Sequence, residues 1–173
     1  MKNIVLIGLM GAGKTTIGQI LSEKLSKDVV DMDDYIENKY NMSIPDMFKI
    51  SEEYFREKES DCVLEISKRE NVIISTGGGI IKNPKNMEVL RDKGIVIYIN
   101  RPVEYILRDI DVAHRPLLKN NPSELYDLYN QRHELYKLHA HYHFINDGSI
   151  EDIVNKILEV IWLLFLFFEE SLY

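Results

Sequence analysis

The chain has 173 residues, 45% hydrophobic and 28% charged, which fits a soluble globular protein with one core. A formal net charge of -7 excludes the basic face that a nucleic-acid partner needs, and the single cysteine, Cys62, excludes an internal disulfide and suits a reducing cytoplasm. The first apolar run is too short for a secretory segment, so the expectation is a cytoplasmic protein without a membrane partner.

Residues 4–7 read as a short buried strand. They lead into Gly8-Leu9-Met10-Gly11-Ala12-Gly13-Lys14-Thr15, which fits G-x-x-x-x-G-K-[ST] without a mismatch. The predicted helix over 15–26 carries apolar residues at Ile17, Ile20, Leu21 and Leu25. A loop between such a strand and helix turns its backbone N–H groups towards the positive end of the helix dipole, where a phosphate chain can be held. Gly11, Ala12, Gly13, Lys14, Thr15 and Thr16 are therefore candidate residues for binding a nucleoside triphosphate. Lys14 would reach the β- and γ-phosphates, and the Thr15 hydroxyl would ligate Mg²⁺.

The second strand is predicted over 29–33, in Val29-Val30-Asp31-Met32-Asp33-Asp34. Strand alternation would put Asp31 and Asp33 on one side. Two readings stand level: one carboxylate serves the metal and the other a substrate hydroxyl, or Asp33 or Asp34 caps a helix over 35–40. A helix over 52–70 places Phe55, Cys62, Val63 and Ile66 on one apolar face, which makes Cys62 a buried thiol. The third strand, 72–75, ends in Ser75-Thr76-Gly77-Gly78-Gly79, and three glycines in a row let a ligand approach the backbone closely.

Helices follow over 84–92, 103–110 and 122–140, with strands at 95–99 and 143–145. His139, His141 and His143 could mimic a metal site, but His139 belongs to the helix before the strand, which spoils that geometry. The last helix begins near 150 behind Ser149-x-x-Asp152. Its stretch over 160–168 is apolar all round and, at nine residues, too short to span a bilayer; burial against the core is the expectation, with a dimer contact as the alternative. Strand–helix alternation implies a parallel sheet with helices on both faces and ligands beyond the carboxyl ends of the strands.

Six motifs occur in order: the phosphate loop, Asp31-x-Asp33, Phe55-Arg56-x-x-Glu59, Gly77-Gly78-Gly79, Arg115-Pro116-Leu117-Leu118 and Arg132-x-x-x-Tyr136. In order and spacing the set resembles the shikimate kinase family, over residues 1 to about 155. The resemblance implies an α/β, three-layer α/β/α P-loop kinase fold with a five-stranded parallel sheet, in a single domain spanning 1–173. It also implies a substrate-binding subdomain at about 32–60 and a lid at about 109–119. The implied reaction moves the γ-phosphoryl group of ATP to the 3-hydroxyl of shikimate, with Mg²⁺, on the way to aromatic amino acids. The implied partners are ATP and shikimate, for a monomer unless the apolar C-terminal helix pairs two copies.

By the same resemblance, Arg56 and Arg132 would hold the substrate carboxylate, with Glu59 orienting Arg56. Gly77, Gly78 and Gly79 would lie against the ring, where a Cβ would collide, and Asp33 would bind the reacting hydroxyl. Asp31 with Thr15 would serve the metal. Lys14 and Arg115 would neutralise charge in the transferring group, and Arg108 would pack over adenine. Two departures stand out: Ser51 near a place where the family often has glycine, and Asp109 and Asp111 in the lid where basic residues are common. A gluconate kinase, a nucleoside monophosphate kinase or an inactive nucleotide-binding regulator are the alternatives. The first has no need of two carboxylate-reading arginines, the second would turn them on a phosphate, and the third would not need Lys14, Asp31, Asp33 and Arg115 together.

Overall fold

Five parallel strands, β1 (Asn3–Ile7), β2 (Val29–Asp31), β3 (Ile73–Ser75), β4 (Gly94–Asn100) and β5 (Tyr142–Ile145), lie in the order β2-β3-β1-β4-β5 in the computed structural model, which describes residues 2–109 and 122–170. The described helices are α1 (Lys14–Leu25), α2 (Met32–Tyr40), α3 (Ile44–Ile50), α4 (Glu52–Ile66), α5 (Pro84–Lys93), α6 (Val103–Asp109), α7 (Pro122–His139) and α8 (Ile150–Glu170), with a 3₁₀ turn at Ile80–Lys82.

Side-chain alternation along β1 explains why its apolar run is unbroken. Val5 and Ile7 point to one face, where Val30, Ile74, Val96 and Tyr98 meet Phe55, Cys62 and Ile66 of α4, Leu90 of α5 and Tyr136 of α7. Ile4 and Leu6 point to the other, where Ile73, Ile97 and Ile99 meet Ile17 and Leu21 of α1 and Ile153, Val154 and Ile157 of α8. Both faces are covered, so both parities must be apolar. The register, with Val5 opposite both Ile74 and Val96, brings the ends of β3, β1 and β4 to one edge, and the chain leaves each strand there.

Several boundaries differ from those expected. β2 ends at Asp31 rather than residue 33, because Asp31 caps α2: its carboxylate accepts the Asp33 N–H at 3.0 Å. The 52–70 helix stops at Ile66, where its last turn tightens into i→i+3 bonds from Lys68 to Glu65 and from Arg69 to Ile66. The helix α3 was not expected, since seven residues are too few to show a period; its start is marked by Ser43, whose hydroxyl accepts the Asp46 N–H, and by Pro45 in the first turn. Ser51, the departure from the expected glycine, closes α3 and caps α4 by accepting the Tyr54 N–H at 3.0 Å.

The apolar end of α8 corrects the expectation of burial. Ile161 is buried, but Trp162, Leu163 and Leu166 are more than half exposed. The reason is length. A helix of 21 residues runs about 31 Å at 1.5 Å per residue, whereas its neighbours, the 12-residue α1 and the four-residue β5, cover about 18 Å and about 13 Å. The helix outlasts the layer it packs on. No helix among the described residues is long and apolar enough to cross a membrane.

The three histidines take separate places. His139 is the last residue of α7, His141 Nδ1 accepts the Val96 N–H at 2.9 Å, and the His143 ring stacks on Tyr98 at 4.8 Å. Among the described residues no three His, Cys, Asp or Glu side chains gather as a metal site.

Candidate active site at the carboxyl ends of the strands

The loop between β1 and α1 wraps the first turn of the helix. Gly8, at φ 150°, needs to be glycine because a Cβ there would overlap the Ile99 carbonyl oxygen on the next strand. Lys14, the first residue of α1, is buried and donates to the carbonyl oxygens of Gly8 and Leu9 at 2.9 Å each, so its ammonium lies in the fold of the loop. The far side of the loop is tied to the end of β5, where Asn146 Nδ2 donates to the Ala12 carbonyl at 3.0 Å.

Oxygen donors gather beside the start of α1. The Thr15 hydroxyl donates to Asp31 Oδ2 at 2.7 Å and lies 3.4 Å from the Ser75 hydroxyl. Asp31 and Asp33 do not alternate along a strand as expected. One ends β2 and the other sits in the first turn of α2, and the cap bond holds them together. Asp31, not Asp33 or Asp34, is the cap, and it still faces Thr15. Asp33 lies against the glycine loop, with Oδ1 2.9 Å from where a Cβ on Gly77 would stand. Asp33 is open to solvent yet set in a concavity, and desolvation there, reinforced by the Asp31 charge and opposed by Lys14, raises its pKa above the ordinary aspartate value.

Lys14, Thr15, Asp31, Asp33, Ser75 and Gly77–Gly78 share one cavity of about 320 Å³. A larger depression of about 450 Å³ at the opposite end of the sheet, beside Lys2, Lys68 and Lys93, contains none of the residues expected to act.

Arg56 projects from α4 towards the third glycine. Its Nη1 donates to Glu59 Oε2 at 2.7 Å, and its Nε and Nη2 approach Glu52 Oε1 at 3.3 Å. Glu59 is almost wholly buried; desolvation raises its pKa, and the Arg56 guanidinium works against that rise. A Cβ on Gly79 would overlap that guanidinium. The collision expected with a ligand ring is thus already one with the protein's own arginine. From α7, Arg132 Nη1 donates to the Gly78 carbonyl at 3.1 Å, and the buried Tyr136 hydroxyl donates to the same oxygen. Burial pushes the Tyr136 hydroxyl up to about 12, so it remains a donor.

Arg108 stands in the last turn of α6 on the surface, over the Tyr105 ring at 4.8 Å, with its Nε on Asp109 at 3.2 Å. Asp109 also accepts from Arg101, and these contacts hold its carboxyl below the usual aspartate range. Asp111, Arg115 and most of the expected lid lie outside the described residues. Sequence reasoning did not single out Ser75, Asn146 or Glu52. Ser75 could have been found from its place at a strand end before three glycines; a lone Asn after β5 or a Glu in a first helical turn carries no such signal.

The shikimate kinase family model matches residues 10–162. A shikimate kinase of Clostridium botulinum (strain Alaska E43 / Type E3) is 45% identical over 162 residues, 93% of this chain and 98% of that one. Among solved structures, a shikimate kinase from Acinetobacter baumannii in complex with shikimate is 40% identical with a TM-score of 0.86, covering 94% of this chain and 93% of that one. A shikimate kinase from Aquifex aeolicus is 32% identical with a TM-score of 0.80, covering 95% and 98%.

Proposed function

Because this chain belongs to the shikimate kinase family, its activity is ATP-dependent phosphorylation of shikimate, and we propose that the cavity at the strand ends carries it out on the 3-hydroxyl. The observation that supports this most is convergence. Lys14 and Thr15 stand on one wall of the cavity, Asp33 and the glycine loop on another, and Arg56 and Arg132 both meet that loop. A triphosphate end and a carboxylate end face each other across one aspartate.

In this reading Gly11 to Thr16 bind the phosphates, and Lys14 and Arg115 neutralise charge on the transferring group. Little covalent work is needed, since positioning and charge supply most of the acceleration. The Thr15 hydroxyl and the Asp31 carboxylate are hard oxygen donors 2.7 Å apart, suited to Mg²⁺, which when bound would screen the phosphate charge. Asp33 accepts the hydrogen bond of the shikimate 3-hydroxyl and takes its proton; its raised pKa brings it nearer to a useful base. Arg56 and Arg132 hold the shikimate carboxylate, Gly77 to Gly79 admit the ring, and Arg108 covers adenine. We further assign a single domain over 1–173, with a substrate-binding subdomain at about 32–60 and a lid at about 109–119 that shuts water out. The protein works in the cytoplasm, as a monomer unless the exposed Trp162, Leu163 and Leu166 of α8 pair two copies.

A coupled assay of ADP release tests the whole reading. Shikimate should support turnover, while gluconate and nucleoside monophosphates should give only background. Turnover with either of the latter at a comparable rate would overturn it.

Gly79→Ala gives a second expected result. The added methyl must displace the Arg56 guanidinium from beside the loop, so KM for shikimate should rise at least tenfold while KM for ATP stays within about twofold. Equal changes in both constants would mean that Gly79 serves the fold rather than the acceptor site.

A further inference from the structure

Arg56 already meets two carboxylates of the protein before any substrate carboxylate arrives. A guanidinium has two edges that present paired N–H groups to a carboxylate, one formed by Nε with Nη2 and the other by Nη1 with Nη2. Glu59 draws on Nη1 at 2.7 Å, and its side chain is only 2% exposed. Glu52 sits across the first edge, its Oε1 3.3 Å from both Nε and Nη2. Nη2 is also the atom nearest Gly79, on the side where the acceptor would lie. A carboxylate of the protein therefore covers an edge that a carboxylate substrate would use.

The two glutamates are not alike. Glu59 is buried and bonded at short range, so it is a fixture. Glu52 stands in the first turn of α4, half exposed, at the long limit of a hydrogen bond to Arg56. Its same oxygen also accepts from Lys82 Nζ, on the 3₁₀ turn that follows the glycine loop. Lys82 is 44% exposed, and the Lys82 contact holds the Glu52 carboxyl below the usual glutamate range, so Glu52 is charged at neutral pH.

We propose that Glu52 is an internal competitor for the Arg56 guanidinium, and that Lys82 is the cation that draws it off when the substrate carboxylate arrives. The pair sets how tightly the site takes a carboxylate acceptor. This rests on the reading that Arg56 binds that carboxylate. An ion pair at 3.3 Å whose glutamate is half exposed is weak and easily exchanged, which suits a contact that must break in every turnover. Lys82 gives the released carboxylate a partner, so displacement does not leave it bare.

The test is steady-state kinetics of Glu52→Gln, Lys82→Gln, the double variant and Arg56→Ala, each checked for folding by thermal melting. Glu52→Gln should lower KM for shikimate about two- to fivefold, the worth of an exposed ion pair, with kcat and KM for ATP unchanged. Lys82→Gln should raise KM by a similar factor, because Glu52 is left on Arg56. The double variant should behave as Glu52→Gln, since without the competitor Lys82 has nothing to hold. A Lys82→Gln penalty that persists in the double variant would show direct contact between Lys82 and substrate, and would overturn the proposal. So would a rise in KM for Glu52→Gln, which would make Glu52 a second support of Arg56 like Glu59. Arg56→Ala separates the two levels: an unchanged KM for shikimate would sink the carboxylate reading itself, whereas a raised KM beside a raised KM in Glu52→Gln would sink only the competition.

Discussion

Asp33→Asn is expected to lower kcat by roughly 10²–10⁴-fold, the usual range for loss of a general base. The substitution keeps the shape and the hydrogen-bonding reach of the side chain and removes its charge and basicity. Asp33 stands in the cavity against Gly77, and among the described residues the two carboxylates beside it are engaged elsewhere: Glu59, 3.6 Å from the same Gly77 Cβ position, is paired with Arg56. Asp31 already accepts the Asp33 N–H and the Thr15 hydroxyl. KM for ATP should be nearly unchanged, and raised Mg²⁺ should not restore the rate. Asp31→Asn should fail in the other way: the amide oxygen can still cap α2, but the loss of a charged oxygen beside Thr15 should weaken metal-dependent ATP use, with partial rescue by added Mg²⁺.

Stability should move in the opposite direction from activity. The Asp33 pKa is raised in the folded protein, so its contribution is favourable in acid and is lost as pH rises through that raised value. Above that value the parent carries an unfavourable charge there that Asn does not, and the variant should melt slightly higher. The rate of the parent should fall as pH is lowered through the same titration. A variant rescued by metal, or one that turns over like the parent, would mean that the roles of the two aspartates are misassigned.

The phosphate loop could be read from the sequence because its chemistry fixes the spacing of Gly8, Gly13, Lys14 and Thr15, leaving little to tertiary context. The parallel sheet could be read because two covered faces force continuous apolar strands such as Asn3–Ile7. The end of β2 was less legible, since Val29 to Asp34 alternates plausibly as a strand until the cap bond from Asp31 turns it into α2. The exposed end of α8 was misread for a related reason: an apolar run records the preference of a segment, not whether the layer beneath is long enough to cover it. Glu52 had no legible role, because a glutamate in a first helical turn looks the same in sequence whether it meets water or an arginine. Both arginines were found, and so was Glu59 as the partner of Arg56; the burial of Glu59 and the Gly78 carbonyl partner of Arg132 were not. Arg56 leans on a buried acid, and Arg132 leans on a backbone carbonyl.

That difference separates the two arginines in the second large effect. Arg132→Ala should raise KM for shikimate by about 30-fold or more, since leaving a carboxylate without its buried partner costs on the order of 2–5 kcal/mol and 1.4 kcal/mol is one decade. Its melting temperature should hold, because the Gly78 carbonyl that Arg132 serves still receives the Tyr136 hydroxyl. Arg56→Ala should weaken shikimate binding as strongly and should also destabilise the fold, because it strands Glu59, whose side chain is 2% exposed. Burial already raises the Glu59 pKa, and Arg56 is the largest influence opposing that rise. Without it the pKa climbs further, so the stability lost should be small in acid and should grow as pH rises through that value. Melting curves from pH 4 to pH 8 should therefore run parallel to the parent for Arg132→Ala and diverge with rising pH for Arg56→Ala. If calorimetric titration finds either variant weakened for ATP alone, or if the Arg56→Ala melting curve stays parallel to the parent, the pairing of carboxylate, Arg56 and Glu59 is wrong.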